Sequence, residues 1–138
     1  MHMTPLFFAA LLLVSSATLA ADADALIRDG EAKLQSGDIA AAVAVLQEAV
    51  ATDALSAQAR LRLGGALLMQ QDYPGAIEQF RETVRLDSKN SNAFIGMSVA
   101  YLHGGRYELA RASLDEAIRI DPDLSLSPPR EALQLTEV

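Results

Sequence analysis

The sequence predicts an all-α protein built from stacked helical hairpins. Alanine and leucine dominate the apolar half of the composition, and aromatic residues make up only 5% of the chain. Between Ala57 and Asn90, apolar residues recur at helical spacing in two runs, which a turn at Gln70 to Pro74 separates. Equivalent residues recur 34 positions before and after this segment. We therefore expect a row of three hairpins.

Residues 1–20 differ from the rest and are predicted to be a cleaved secretory signal peptide. An apolar run from Leu6 to Val14 precedes small or weakly polar residues that end at Ala20. The run is shorter than the roughly 20 residues that span a bilayer. The first Lys or Arg is Arg28, so the usual basic N-terminus is missing. Cleavage after Ala20 is favoured over cleavage after Ala17, and an uncleaved membrane anchor is the alternative.

Residues 23–124 divide into three units of equal length, 23–56, 57–90 and 91–124, that align without a gap. Small residues recur where two helices of a hairpin would approach closely, and a large apolar residue recurs in each second helix. In this alignment, two columns hold small residues: Gly30, Gly64 and Ser98, and Ala42, Ala76 and Ala110. A third column holds large apolar residues: Leu46, Phe80 and Leu114.

The turns within the hairpins also follow this period. Asp72 is predicted to cap the second helix of the middle unit, and Pro74 suits the first turn of that helix. Gly37 and Gly105 are suited to a left-handed residue that ends a helix. The middle unit has Gln71 at this position, so we expect some strain in its turn.

The two ends of the array differ from its middle. The first unit has Asp29 and Lys33 where the second has Leu63 and Leu67. An end unit has no neighbour on its outer face, which must therefore be polar. Residues 125–138 are predicted to form a tail with a short C-terminal capping helix.

This pattern resembles the tetratricopeptide repeat family, in which the repeat is about 34 residues long. The residues that match the family's signature are Leu63 and Gly64; Tyr101; Ala42, Ala76 and Ala110; Leu46, Phe80 and Leu114; Ala49 and Ala117; and Pro122. The resemblance implies a right-handed superhelical stack of three hairpins that acts as a non-catalytic scaffold for a protein or peptide. It also implies that an exported member is an adaptor in an envelope, pilus or secretion assembly.

The composition excludes several other classes of function. The chain has no cysteine, which rules out disulfides and thiolate metal sites. Its net charge of −7, without a stripe of Lys and Arg, argues against nucleic-acid binding. The sequence contains no nucleophile elbow, Walker loop or dinucleotide-binding fingerprint. We interpret its pairs of acidic residues as solvent-exposed helix faces and turns between repeats. We therefore expect no enzyme activity, no cofactor and no metal.

The resemblance also implies where a partner binds, on the concave side formed by the first helix of each hairpin. Leu61, Leu68 and Met69, together with residues of the third unit, would form an apolar strip, and exposed strips of this kind often mark partner sites. Arg28 and Arg62 would be available for acidic side chains of the partner. The predicted groove residues are Arg28, Leu61, Arg62, Leu68, Met69, Asn92, Ile95, Val99, Leu102 and His103.

Ile27 is also among the family's groove positions. The family's clamp for the C-termini of heat-shock chaperones uses Lys, Asn and Arg. At the corresponding positions, Ile27, Glu31, Arg62, Asn92 and Gly96, only Arg62 suits that role. The tail or a second copy of the chain are alternative occupants of the strip, so a homo-oligomer is an open alternative.

Together these observations predict an exported scaffold, periplasmic or secreted, with no stable membrane anchor after cleavage. The alternatives are an N-terminally anchored, self-associating subunit and, with less support, an enzyme accessory. A measured enzymatic turnover that is lost on mutating Glu31 or His103 would favour the enzyme accessory.

Overall fold

The computed structural model describes residues 5–125 of the chain, with side chains described from residue 17 onward. These residues form six α-helices and no β-strand, which confirms the all-α prediction. The helices are α1 (Pro5–Gln35), α2 (Ile39–Thr52), α3 (Ala57–Met69), α4 (Tyr73–Leu86), α5 (Ser91–His103) and α6 (Tyr107–Ile120). A short 3-10 helix, Pro122–Ser125, follows α6. The predicted C-terminal capping helix lies outside the described residues.

Four of the helices begin with a side-chain cap. Asp38, Ser56, Asp72 and Asn90 each accept a hydrogen bond from the backbone three residues on. The predicted cap at Asp72 is confirmed, because the Gly75 N–H donates to its Oδ1 at 3.1 Å. Helix α6 differs: Arg106 occupies its N-cap position and supplies no such hydrogen bond.

The three turns within the hairpins share one backbone geometry. Gly37, Gln71 and Gly105 have φ angles of 81°, 65° and 73°. In the middle turn the Asp72 N–H donates to the Leu67 carbonyl at 2.9 Å, which closes the end of α3. Gln71 thus has the left-handed conformation for which the other two turns have glycine. A residue with a side chain is strained in this conformation, which is the physical basis of the expected strain.

The helices pair as α1 with α2, α3 with α4 and α5 with α6, and α4 also packs against α5. Gly64 faces Phe80 across the second hairpin, and Gly96 of α5 faces the same ring. Phe80 is 2% exposed, and Ala76 one turn before it is fully buried. The close approach expected at Gly64 and Ala76 is therefore present, and Phe80 also joins the second hairpin to the third.

Helix α1 contacts α2 and α3, and its residues that face away from them are polar. Asp29 and Lys33 form an exposed ion pair with 2.6 Å between Oδ1 and Nζ, whereas Leu63 and Leu67 are buried. This agrees with the polar outer face expected of an end unit. Ile27 corrects one expectation. It is 2% exposed and packs in a buried cluster with residues of α2 and α3, so it is a core residue and not a groove residue.

Helix α1 runs without a break through both predicted cleavage positions. Residues 17–22 are exposed, and the first buried side chain of the described part is Ala23. The described core contacts thus begin after Ala20. Of the helices in the described residues, none has the length and hydropathy needed to cross a membrane.

Candidate functional site

A groove of about 720 Å³ lies between α3 and α5, and we call it the α3–α5 groove. Eight of the ten predicted residues line it. They are Leu61, Arg62, Leu68, Met69, Asn92, Ile95, Val99 and His103, and the lining also includes Gly65, Gln71, Tyr73, Phe80 and Gly96.

Helical periodicity brings these residues to the same groove. On α3, Leu61, Gly65 and Leu68 are separated by four and three positions, which places them on one face. On α5, Ile95, Val99 and His103 are each separated by four positions. The two faces meet across the groove because α3 and α5 are neighbours in the stack.

The floor of the groove is apolar and partly open to solvent. Leu61 and Leu68 also pack against the core, and with Ile95 and Val99 they are half-buried. Met69 is 53% exposed, which makes it one of the most exposed large apolar side chains in the described part. Gly65 and Gly96 also line the floor, and neither has a side chain that would fill the groove. The groove therefore presents apolar surface for contact without a deep cavity.

One end of the groove carries a charge pair. The Arg62 Nε lies 2.6 Å from Glu31 Oε1, so the guanidinium expected to be available for a partner's acidic side chain already has a carboxylate partner. The pair joins α1 to α3, and both side chains are partly exposed. Both residues were expected on the groove side, but their pairing with each other was not predicted.

The structure does not bring Arg28 and Leu102 into the groove lining. Leu102 is half-buried and packs against the core. Arg28 is exposed on α1, and among the described side chains it pairs with no carboxylate.

The other end of the groove carries an aromatic pair that sequence reasoning missed. The rings of Tyr73 and His103 stack with centroids 5.5 Å apart and an interplanar angle of 5°. Tyr73 begins α4 and His103 ends α5, so the contact joins two hairpins. The 34-residue alignment compares equivalent positions and cannot pair different positions of neighbouring hairpins.

Of the described residues, those that line this groove include one histidine, His103, and no Asp or Glu. No group of three or more His, Asp or Glu side chains among them is placed to hold a metal ion. Tyr73 and His103 meet face to face, which is not the hydrogen-bonded contact of a nucleophile and its base. The pKa of the exposed Glu116 is lowered, chiefly by a hydrogen bond from Arg119, but this pair lies on α6 outside the groove.

Two sequence models described as tetratricopeptide repeat match the chain, one over residues 27–91 and the other over residues 67–127. Together they extend from the last third of α1 to just beyond the 3-10 helix. Comparison with the curated proteins gives no match.

Solved structures of the same architecture are similar to this chain over most of its length. The Arabidopsis OM64 TPR domain is 18% identical, with 86% of this chain and 94% of that chain covered and a TM-score of 0.78. YrrB, a TPR protein with an unusual peptide-binding site, is 26% identical with a TM-score of 0.75; the match covers 85% of this chain but 58% of YrrB.

A third such structure is the second TPR domain of human RPAP3 in complex with the HSP70 peptide SGPTIEEVD. It is 18% identical, with 86% of this chain and 92% of that chain covered and a TM-score of 0.72.

Proposed function

Because this chain belongs to the tetratricopeptide repeat family, we propose that it is a non-catalytic scaffold that binds a protein or peptide partner in the α3–α5 groove. The observation that carries the proposal is the open apolar floor, with Met69 53% exposed between half-buried aliphatic side chains. An exposed apolar patch of this kind is costly in water, and burying it under a partner is favourable.

The size of the groove suits a short segment of chain. Asn92 and His103 line its two ends on α5, and eleven residues of helix span about 17 Å. An extended peptide rises about 3.3 Å per residue, so about five partner residues would fit along the groove. We propose a segment whose apolar side chains rest on Leu68, Met69 and Val99.

Polar groups at the rim would hold the partner's backbone. Asn92 is exposed at the start of α5, and its amide can both donate and accept a hydrogen bond. Gln71 has the same capacity in the α3–α4 turn, at the opposite end. Because Arg62 is already paired with Glu31, recognition by this groove would depend on apolar contact more than on charge. YrrB, the structure with the highest identity of the three, is described as having a peptide-binding site, which supports this type of partner.

The groove is tested by a substitution at its most exposed side chain. Met69→Asp should place a carboxylate on the apolar floor and abolish capture of the partner in crosslinking pull-downs from the native host. It should leave the fold intact, because about half of this side chain is already in water. Leu55→Asp is the matched control, since Leu55 is 74% exposed in the α2–α3 connection and does not line the groove. Equal losses in both variants would refute the assignment of the site.

We further propose that residues 1–20 direct export and are removed, so that the mature chain acts in the periplasm or outside the cell. The exposure of residues 17–22 supports this, since the first described core contact is at Ala23. A role as adaptor in an envelope, pilus or secretion assembly follows by analogy with exported members of the family. Mass spectrometry of the N-terminus after cell fractionation tests the export. An intact Met1 in the membrane fraction would contradict it.

A further inference from the structure

A second groove, of about 770 Å³, lies on the other side of Tyr73, between α4 and the α5–α6 turn. Its apolar surface comes from Tyr73, Ile77, Tyr101 and Leu109, and we call it the α4–α6 groove. Tyr101 is buried, whereas Leu109 is 39% exposed. This surface is absent from the set of groove residues that the sequence predicts, and it does not depend on the function proposed above.

The charge of the α4–α6 groove is opposite to that of the whole chain. Arg81 and Arg106 line it, and none of its lining residues is acidic. Both arginines are exposed, and within the described part of the chain neither forms an ion pair. Four other cationic side chains do pair with a carboxylate: Lys33, Arg62, Arg85 and Arg119. In a chain of net charge −7, two unneutralised cations on one apolar groove form a local positive site.

Arg106 replaces an acidic residue at this place in the repeat. The first two hairpins have Asp38 and Asp72 at the equivalent position, where each caps a helix. Arg106 makes no cap, and its guanidinium carbon lies 5.7 Å from the centroid of the Tyr101 ring. A cation in this position is attracted to the face of the ring. The contact holds the positive charge over the apolar surface of the groove.

We propose that the α4–α6 groove binds an acidic segment of a partner protein in which apolar side chains alternate with carboxylates. Its carboxylates would pair with Arg81 and Arg106, and charge-assisted hydrogen bonds to arginine are among the stronger polar contacts in proteins. Its apolar side chains would cover Ile77 and Leu109. Arginine is suited to this task because its planar fork of N–H donors matches a carboxylate. The overall negative charge of the chain disfavours such a segment elsewhere on its surface.

Fluorescence polarisation with the full chain tests the proposal. The probe is a short labelled peptide of alternating Glu and Leu, and the comparison peptide has Gln in place of every Glu. We expect the acidic peptide to bind at least about tenfold more tightly than the Gln peptide, the ratio that one charge-assisted hydrogen bond can supply. We also expect the binding to weaken as salt is added.

Two variants of matched charge locate the binding. Arg106→Asp restores the capping residue of the first two hairpins, so the helix should form at least as well while acidic-peptide binding falls about tenfold or more. Arg111→Glu changes the net charge by the same amount at an exposed position of α6 that does not line the groove. Its affinity for the peptide should stay within about twofold of the wild type, a change well below that of a lost charged contact. Circular dichroism confirms the fold of each variant.

Three results would overturn the proposal. The first is equal affinity for the Glu and Gln peptides. The second is an equal loss in Arg106→Asp and Arg111→Glu, which would assign the effect to net charge alone. The third is a wild-type dimer in sedimentation that Arg106→Asp dissociates, which would make a second copy of the chain the occupant of the groove.

Discussion

Replacing Gly64 by Ala should destabilise the protein, whereas the same replacement at Gly65 should stabilise it. A Cβ at Gly64 would lie 2.7 Å from Cε1 and 2.9 Å from Cδ1 of Phe80, much closer than carbon atoms approach in proteins. A Cβ at Gly65 would meet nothing within 4 Å. Both residues are in α3, so the gain in helix propensity, about 1 kcal/mol for Gly→Ala, is common to both.

The ring of Phe80 has little freedom to move away. It is 2% exposed, and a Cβ at Gly96 would lie 2.6 Å from its Cε2, so the third hairpin confines it from α5. Overpacking a confined site costs typically about 1–3 kcal/mol. Subtracting the gain in propensity leaves Gly64→Ala less stable than the wild type by up to about 2 kcal/mol. Gly65→Ala should be about 1 kcal/mol more stable than the wild type.

Urea unfolding followed by circular dichroism measures both changes. The difference between the two variants isolates the steric term, because propensity and unfolded-state effects cancel to first order. Equal stability of the two variants would refute the close packing of Phe80 against α3.

Three further predictions concern the turns within the hairpins, helix α4 and the N-terminus. Gln71→Gly should raise the free energy of unfolding by up to about 1 kcal/mol, because glycine adopts the positive φ without strain. Gly37→Ala should lower the free energy of unfolding by a similar amount. Changes of the opposite sign in urea unfolding would contradict the strain at this position of the turn. Ala76→Leu should lower the free energy of unfolding by about 1–3 kcal/mol, because Ala76 is fully buried. An unchanged melting temperature would show that the hairpin has room for the larger side chain. A chain without residues 1–20 should retain its circular dichroism spectrum and cooperative melt, because the first described buried side chain is Ala23. Loss of the fold would show that the removed residues are needed for folding.

The sequence predicted the parts of the fold that repeat. Gly64, Ala76 and Phe80 lie in columns that recur every 34 residues, and each column reflects one local requirement: a small residue at a close approach or a large one to fill the hairpin. Asp72 and Gln71 followed from turn geometry in the same way, since capping and positive φ depend on neighbouring residues only.

Contacts between different hairpins were not predictable from these columns. The pairing of Arg62 with Glu31, and the stacking of Tyr73 on His103, depend on how one hairpin is set against the next. Ile27 was placed in the groove because its column was assigned to the concave side, but in the first unit its side chain is buried against α2 and α3.

The α4–α6 groove was missed for a different reason. Its lining comes from α4, the end of α5 and the start of α6, and only the folded chain brings these segments together. The departure from pattern at Arg106, where two earlier units have aspartate, was visible in the sequence and is the one signal that points to this surface.

Photo-crosslinking from the floor of the α3–α5 groove shows directly whether a partner protein binds there. A photoreactive amino acid is placed at Met69 or at Leu55 in the native host, and both positions are exposed, so neither substitution should disturb the fold. We expect position 69 to crosslink to one discrete partner protein through a short apolar segment, identified by mass spectrometry, and position 55 to give no such crosslink. Crosslinks to the same partner from both positions, or from position 69 only to another copy of this chain, would contradict this expectation.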